Sequence, residues 1–449
     1  MIQKLFNILF KKKSDYSEQA VIIPRAAHGL SRKHINPHAI KVLYRLNDAG
    51  FAAYLVGGGV RDLLLCKKPK DFDVATNATP EEVKKLFRNC LLIGRRFRIA
   101  HVRFGQDIIE VTTFRSESAG GDDERKHSKL GMLLRDNVYG TIGEDAMRRD
   151  FTINALYYNI ADFSVTDFTQ GIQDLNDKVI RLIGKPTVRY QEDPVRLLRA
   201  IRFAAKLHFT LHEDTEKPIA KSANLLVHVA PARLFDEFLK LFFKGDARNT
   251  YFLLEKYGLL KYLLPIDQEK LSKDQQTFIE QALIKTDERV EHDQSVNPAF
   301  LLAVFLWPKF NDALDAYKAA RLSPTLATQK ALSKVLNSNE LPMAIPKRLT
   351  EIISDIWSLQ WRLTYLVRHQ AVYMSVHKRM RAAYDFLVLR ASSDPTLLEA
   401  AAWWTHFQAV DHDAQQLLLE QLPVAPKKAK RYKRKPNRKK SESVSSVGE

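Results

Sequence analysis

Residues able to do chemistry first gather at Asp71-Phe72-Asp73-Val74. Read as a strand, this run turns both aspartates to one face while Phe72 and Val74 point into a core. Two carboxylates side by side are hard oxygen donors of the kind Mg²⁺ takes. Upstream, an apolar run Tyr54-Leu55-Val56 passes through Gly57-Gly58-Gly59 into a helical pattern opening Val60-Arg61-Asp62. A strand that runs through glycines into a helix start presents bare backbone N–H groups and partial positive charge, which suits a phosphate. A basic turn, Lys67-Lys68-Pro69-Lys70, separates the two. A glycine turn alone is common, and an Asp-x-Asp alone is often a solvated strand edge. Together they describe a place where a divalent cation and a phosphate meet.

The fuller string LVGGGVRDLLL…KDFDVAT resembles the motif of the polymerase-beta-like nucleotidyltransferase superfamily. Within it, the string is most similar to the family of tRNA nucleotidyltransferases and bacterial poly(A) polymerases. The resemblance implies that Asp71 and Asp73 hold Mg²⁺ in a two-metal site, that Gly57 and Gly58 cradle the triphosphate of ATP, and that Arg61 and Arg149 counter its charge. A second segment, Arg148-Arg149-Asp150-Phe151-Thr152-Ile153-Asn154-Ala155-Leu156, is also similar to the family; there the resemblance sets Arg149 on the nucleotide and Asp150 near the catalytic centre. A helix cap is the plain explanation for Asp150 ahead of an apolar run, and the double arginine beside it argues for the functional role. The third metal-facing carboxylate is Glu110 or Asp150. Glu110 is equally well read as the wet face of an alternating strand.

A third segment is Glu192-Asp193-Pro194-Val195-Arg196-Leu197-Leu198-Arg199-Ala200-Ile201-Arg202-Phe203. On one helix, Asp193, Arg196, Arg199 and Arg202 step by about 60° each and form a slanting polar stripe. A solvated face is the plain explanation for such a stripe. The segment resembles the family's EDxxRxxRxxRF motif, which implies that Asp193 and Arg196 read the incoming base, with Arg199 and Arg202 buttressing them or touching phosphate. A carboxylate accepts from an exocyclic amine and a guanidinium donates to ring acceptors, a pairing open to both adenine and cytosine. The stretch Leu92–Phe104, LIGRRFRIAHVRF, resembles the segment that separates poly(A) polymerases from CCA-adding relatives. The implied activity is template-independent transfer of AMP from ATP to RNA 3′ ends with release of pyrophosphate. CCA addition to tRNA is the nearer alternative. A catalytically dead RNA-binding scaffold is the further one, and intact Asp71, Asp73 and Arg149 argue against it.

These residues need a scaffold, and the hydropathy pattern supplies one. A helix from Pro37 carries Ala39, Val42, Leu43 and Leu46 on one face. Thr79-Pro80-Glu81-Glu82 reads as a capping box. Strands are expected at Arg98–Phe104 and Ile108–Phe114, joined as a hairpin, then at Tyr157–Ile160, Val165–Phe168 and Val179–Ile183. Residues 116–130 read as a loop. From Arg189 the pattern is helical. The expected fold class is α+β, a mixed-sheet nucleotidyltransferase head followed by an all-α neck, body and C-terminal region. The expected divisions are a flexible leader at 1–35, the head at 36–185, a neck at 186–265, a helical RNA-binding body at 266–425 and a disordered basic tail at 426–449.

Composition sets the outer bounds. The 449 residues are 45% hydrophobic and 27% charged, and no apolar run approaches the ~20 residues of a membrane span. Cys66 and Cys90 have no metal-type spacing, which points to a reducing cytoplasm. Net charge is +18, which favours a polyanion such as RNA. Residues 427–449 carry +8 of it, leaving +10 on the rest. Lys427, Lys428, Lys430, Arg431, Lys433, Arg434 and Lys435 head this polycation and are expected to hold RNA by its backbone. Arg362, Tyr365, Arg368 and Tyr373 are further RNA-facing candidates. His292-Asp293 and His412-Asp413 lack further histidines at ligand spacing and are not read as a metal-phosphohydrolase site. RNA-decay and RNA-chaperone proteins are the kinds of protein partner to expect, without the sequence naming one.

Overall fold

The computed structural model describes residues 20–94, 98–116, 125–127, 133–136, 138–337 and 341–424. The Lys427–Lys435 cations lie outside the described residues, as does most of the expected loop 116–130.

The head is built on strands β1 (Val21–Ile23), β2 (Ala53–Val56), β3 (Asp73–Thr76), β4 (Cys90–Ile93), β5 (Ile99–Phe104) and β6 (Asp107–Thr113), with β7 (Arg125–His127), β8 (Leu133–Asp136), β9 (Leu156–Asn159) and β10 (Val165–Asp167) following. Eight of them form one mixed sheet in the order β1-β10-β9-β2-β3-β6-β5-β4, while β7 and β8 pair only with each other. The sheet is mixed because β3 runs parallel to β6, whereas β2 is antiparallel to both β3 and β9.

Period-two alternation sorts the side chains. On one face Leu55, Val74, Val111, Leu156 and Tyr158 join a core with Val42, Leu43 and Leu46 of helix α1 (Pro37–Asp48). On the other, Val56, Ala75 and Tyr157 pack with Phe114 and Ala146. Helix α2 (Gly58–Leu64) follows β2. The expected capping box opens α3 (Pro80–Leu86), with Thr79 and Glu82 exchanging side-chain-to-backbone bonds. A second one, Thr141 with Glu144, opens α4 (Ile142–Arg148). The β5–β6 hairpin forms as expected.

One expectation is corrected here. Residues 20–35, assigned to a flexible leader, are built into the head: β1 pairs antiparallel with β10, and Leu30 and Ile35 are buried in the core.

Beyond the head come α5 (Pro186–Glu192), α6 (Val195–Leu207) and α7 (Pro231–Phe242), and helices predominate to residue 421. The fold class is therefore α+β, a mixed-sheet head followed by helices. The chain divides into two compact units between Ile353 and Ser354. The second has its own core, where Trp404 packs with Leu363, Met374 and Leu387 and donates its indole N–H to the Leu363 carbonyl at 2.9 Å. No helix among the described residues is long and apolar enough to cross a membrane.

Candidate active site

The sheet register assembles the carboxylates. Asp73 opens β3 opposite Val56 of β2 and Glu110 of β6. Val56 in turn lies opposite Tyr157, so Asp73, Glu110 and Tyr157 share one face. Asp71 precedes the strand and is exposed, while Phe72 between the two aspartates is buried. Glu110 also lies 3.5 Å from His101 Nε2 across the hairpin.

This gathering has an electrostatic cost. Burial, the neighbouring Glu110 and, more weakly, Asp71 push the Asp73 carboxyl up to about 6, although Arg149 pulls the other way. Among the described residues no three such groups close into a finished metal cage. Mg²⁺ seldom uses one; it takes one or two carboxylates and fills its remaining positions with water and substrate phosphates. Crowded, mutually repelling carboxylates with an exposed member are a donor set that fits this ion.

The glycine turn sits against this face. Gly57 has φ of +74° and ψ of −142°, backbone space open to glycine. A Cβ there would stand 3.6 Å from both Arg149 Nη1 and Asp73 Oδ2. A Cβ on Gly59 would come within 3.2 Å of the Asp71 carbonyl oxygen. Both glycines let the turn approach the aspartates.

Arg149 follows α4 and is held on one side. Its Nε donates to Tyr157 Oη at 2.9 Å and its Nη2 to Asp145 Oδ2 at 3.1 Å, and the Tyr157 hydroxyl donates to the same carboxylate at 2.7 Å. Nη1 makes no hydrogen bond among the described residues and faces the turn. Arg61 is placed differently. It is buried under the turn, donating to Asp62 Oδ1 and to Asn154 Oδ1 at 2.7 Å, with its guanidinium over the Phe203 ring.

Asp150 has partners of its own. It accepts from the Phe151 N–H and the Asn154 amide, and its other oxygen touches the Arg199 guanidinium. Burial works against its charge, yet Arg199 and these donors hold its carboxyl below the ordinary range.

The arginine stripe needs correcting at its first member. Asp193 is extended, with φ of −146°, and lies between α5 and α6 rather than on the helix that carries Arg196, Arg199 and Arg202. Pro194 is the reason, since a residue ahead of proline is kept out of the helical region. Asp193 is instead held by Arg233 of α7, whose two terminal nitrogens meet its two oxygens at 2.7 and 2.8 Å. Arg196 donates to Glu192 Oε2 at 3.0 Å and to the Arg189 carbonyl. Arg202 lies 3.6 Å from Glu237.

Sequence reasoning missed Asp145, Tyr157, Arg189 and Arg233. Arg189 is buried; it donates to Glu192 at 2.8 Å and to the Arg148 carbonyl at 2.6 Å, bracing the turn that carries Arg149. Burial pushes its own guanidinium down to about 10. A cavity of about 730 Å³ bounded by Thr169, Arg181, Lys185, His212, Asp214 and Lys217 is lined by none of Asp71, Asp73, Glu110 and Asp150. The candidate site is located by charge and register, not by concavity.

A glycine turn beside paired carboxylates on a mixed sheet, followed by helices, is the build of a nucleotidyltransferase. The whole fold is similar to that of the Bacillus stearothermophilus CCA-adding enzyme in complex with CTP, with a TM-score of 0.56, 23% identity, and coverage of 87% of this chain and 90% of that one. Along the sequence, residues 53–181 match the poly A polymerase head domain, 208–270 the probable RNA and SrmB-binding site of polymerase A, and 320–440 the polymerase A arginine-rich C-terminus. Poly(A) polymerase I of Salmonella typhi is 48% identical over 95% of both chains. The CCA-adding enzyme of Lactobacillus helveticus is 40% identical over 47% of this chain and 51% of its own. The chain belongs to the poly(A) polymerase family.

Proposed function

We propose that this chain adds AMP from ATP to RNA 3′ ends without a template, releasing pyrophosphate, and that it does so in the cytoplasm. The observation that carries the reading is the Asp73–Glu110 register beside Gly57 and Arg149, on a chain that matches poly(A) polymerase I along nearly its whole length. CCA addition to tRNA is the rival; the full-length match favours polyadenylation.

Asp71 and Asp73, with Glu110 as the third carboxylate, would hold Mg²⁺, which when bound supplies Lewis-acid activation of the 3′-hydroxyl and neutralises phosphate charge. The Gly57–Gly58 turn binds the triphosphate, and Arg149 donates to it through Nη1. Arg61 acts beneath the turn, holding it rather than touching phosphate. Asp150 fixes Arg199, which places α6 against the head. Asp193 accepts from the exocyclic amine of adenine, its carboxylate aimed by the Arg233 fork. Arg196 donates to ring nitrogen, and Arg202 steadies the helix through Glu237. Lys427, Lys428, Lys430, Arg431, Lys433, Arg434 and Lys435 hold the RNA backbone without regard to sequence.

The test supplies purified protein, Mg²⁺ and a 3′-hydroxyl RNA with each nucleoside triphosphate in turn. ATP alone should give long homopolymers on unrelated RNAs, and Asp71→Ala and Asp73→Ala should each lower the rate by at least about 1,000-fold, or 4 kcal/mol of barrier. Addition that stops after a CCA triplet, and only on tRNA, would establish the rival instead.

A further inference from the structure

Within the second unit, charge and exposed aromatic surface are segregated together. Residues 361–381 hold five Lys/Arg, two His and no acidic residue, whereas residues 382–424 hold one arginine against six carboxylates. The basic segment also carries Trp361, Tyr365 and Tyr373, exposed by 50%, 55% and 45%. Among the described residues of this unit they are the three exposed Phe, Tyr or Trp side chains; Trp357, Tyr384, Phe386, Trp404 and Phe407 are buried.

The exposed rings form one surface. Tyr365 follows Trp361 by a helical turn at the end of helix α8 (Lys347–Thr364), its N–H donating to the Trp361 carbonyl at 3.1 Å. Tyr373 lies on α9 (Arg368–Ser375), with the His377 ring at 5.4 Å. The Arg362 guanidinium joins the two helices, 4.9 Å from the Trp361 ring centroid and 4.7 Å from that of Tyr373. Among the described residues its one hydrogen bond to a side chain goes to neutral Gln370, at 2.6 Å. Arg368, Arg379 and Arg381 are paired with Glu420, Asp355 and Asp385. Arg362 and exposed Lys378 form no ion pair among the described residues.

We propose that Trp361, Tyr365, Tyr373 and Arg362 form a stacking platform for the unpaired bases of RNA. The proposal rests on reading the chain as an RNA-modifying enzyme. Exposed rings interleaved with uncompensated cations suit a ligand that is apolar on its faces and anionic along its backbone. Single-stranded RNA has both properties, and each of its bases has a face to stack whatever the sequence. A duplex hides those faces.

The test compares full-length protein with Trp361→Ala/Tyr373→Ala by fluorescence polarisation, using labelled oligoadenylate and an abasic ribose-phosphate chain of equal length. Loss of two rings should raise the Kd for oligoadenylate about 10- to 100-fold, leave the abasic chain within about twofold, and leave the salt slope unchanged because no phosphate contact is removed. Trp361→Phe/Tyr373→Phe keeps both rings and should bind like the parent. Unchanged affinity for oligoadenylate would overturn the platform and assign the rings to a protein partner. Equal losses on both probes would overturn it as well. If the alanine pair does not fold, protection of parent tryptophan fluorescence from acrylamide by oligoadenylate decides the matter, with Trp361→Phe to subtract the exposed indole; absence of protection overturns the proposal. A parent that adds no nucleotide would sink the catalytic reading while the binding result still stands.

Discussion

The carboxylate face and the arginine helix are built on opposite electrostatic principles. At the sheet, Asp73 and Glu110 are set opposite one another with Asp71 nearby, and the Asp73 carboxyl is pushed up to about 6 by burial and by those like charges. On α6 the arginines are matched in turn: Arg196 by Glu192, Arg199 by Asp150, Arg202 by Glu237. One region gathers like charge; the other sets each charge against its opposite. Residue type alone does not make this difference, since Asp73 and Asp150 are both aspartates; the charges that each one meets make it.

The sharpest way to break this comparison is to neutralise one carboxylate from each region. Glu110→Gln should lower AMP addition about 100-fold, or 2.7 kcal/mol of barrier, while leaving the melting temperature nearly unchanged. Asp150→Asn should instead cost about 2 kcal/mol of stability in urea unfolding, less than the 3–5 of a fully buried pair because the Arg199 side chain is 35% exposed. Equal activity losses with unaltered stability in both would return Asp150 to the metal site.

Next in size is the Arg233 fork. If it pre-aims Asp193, Arg233→Ala should reduce the ratio of kcat/KM for ATP over CTP about tenfold, a change of 1.4 kcal/mol. A ratio that stays put while both rates fall together would leave Arg233 as a strut alone.

How much of this was legible beforehand depends on the range of the interaction. Asp71, Asp73 and the glycine turn are local patterns, and Phe72 and Val74 are buried as the alternation requires. The Thr79 capping box spans three residues and forms as read. Asp193 was misplaced although Pro194 stood beside it, because the helical stripe was extended across a residue that proline keeps extended. Its partner, 40 positions away, leaves no local trace. The same holds for Tyr157 and Arg189, whose roles come from the sheet register and from carbonyls across the fold. Glu110 likewise comes beside Asp73 only through the pairing of β3 with β6, which no local pattern announces.

The smallest expected effect sharpens the comparison from the thermodynamic side. The Asp73 carboxyl has a folded value near 6 against 3.8 unfolded, so its protonated form favours the native state. That contribution is full below about pH 4 and is lost as pH rises through about 6. In metal-free buffer Asp73→Asn should therefore stabilise the protein above pH 6, by about 1 kcal/mol once solvent screening at this half-buried group is allowed for, and should be neutral at pH 4. Thermal melts in chelator at the two pH values measure it; stabilisation at pH 4 alone would contradict the sign.

The pairing of β1 with β10 bears on how the catalytic module can be moved between proteins. The head-domain match begins at residue 53, yet the sheet ends in residues 21–23 lying against residues 165–167, and α1 roofs its core from 37–48. A graft cut at residue 53 would leave β10 as a bare edge and its hydrophobic face uncovered, a template for chains to join end to side. Exchange of heads among relatives should therefore yield soluble chimeras only when the transplanted piece starts ahead of Val21, some thirty residues before the recognisable motif.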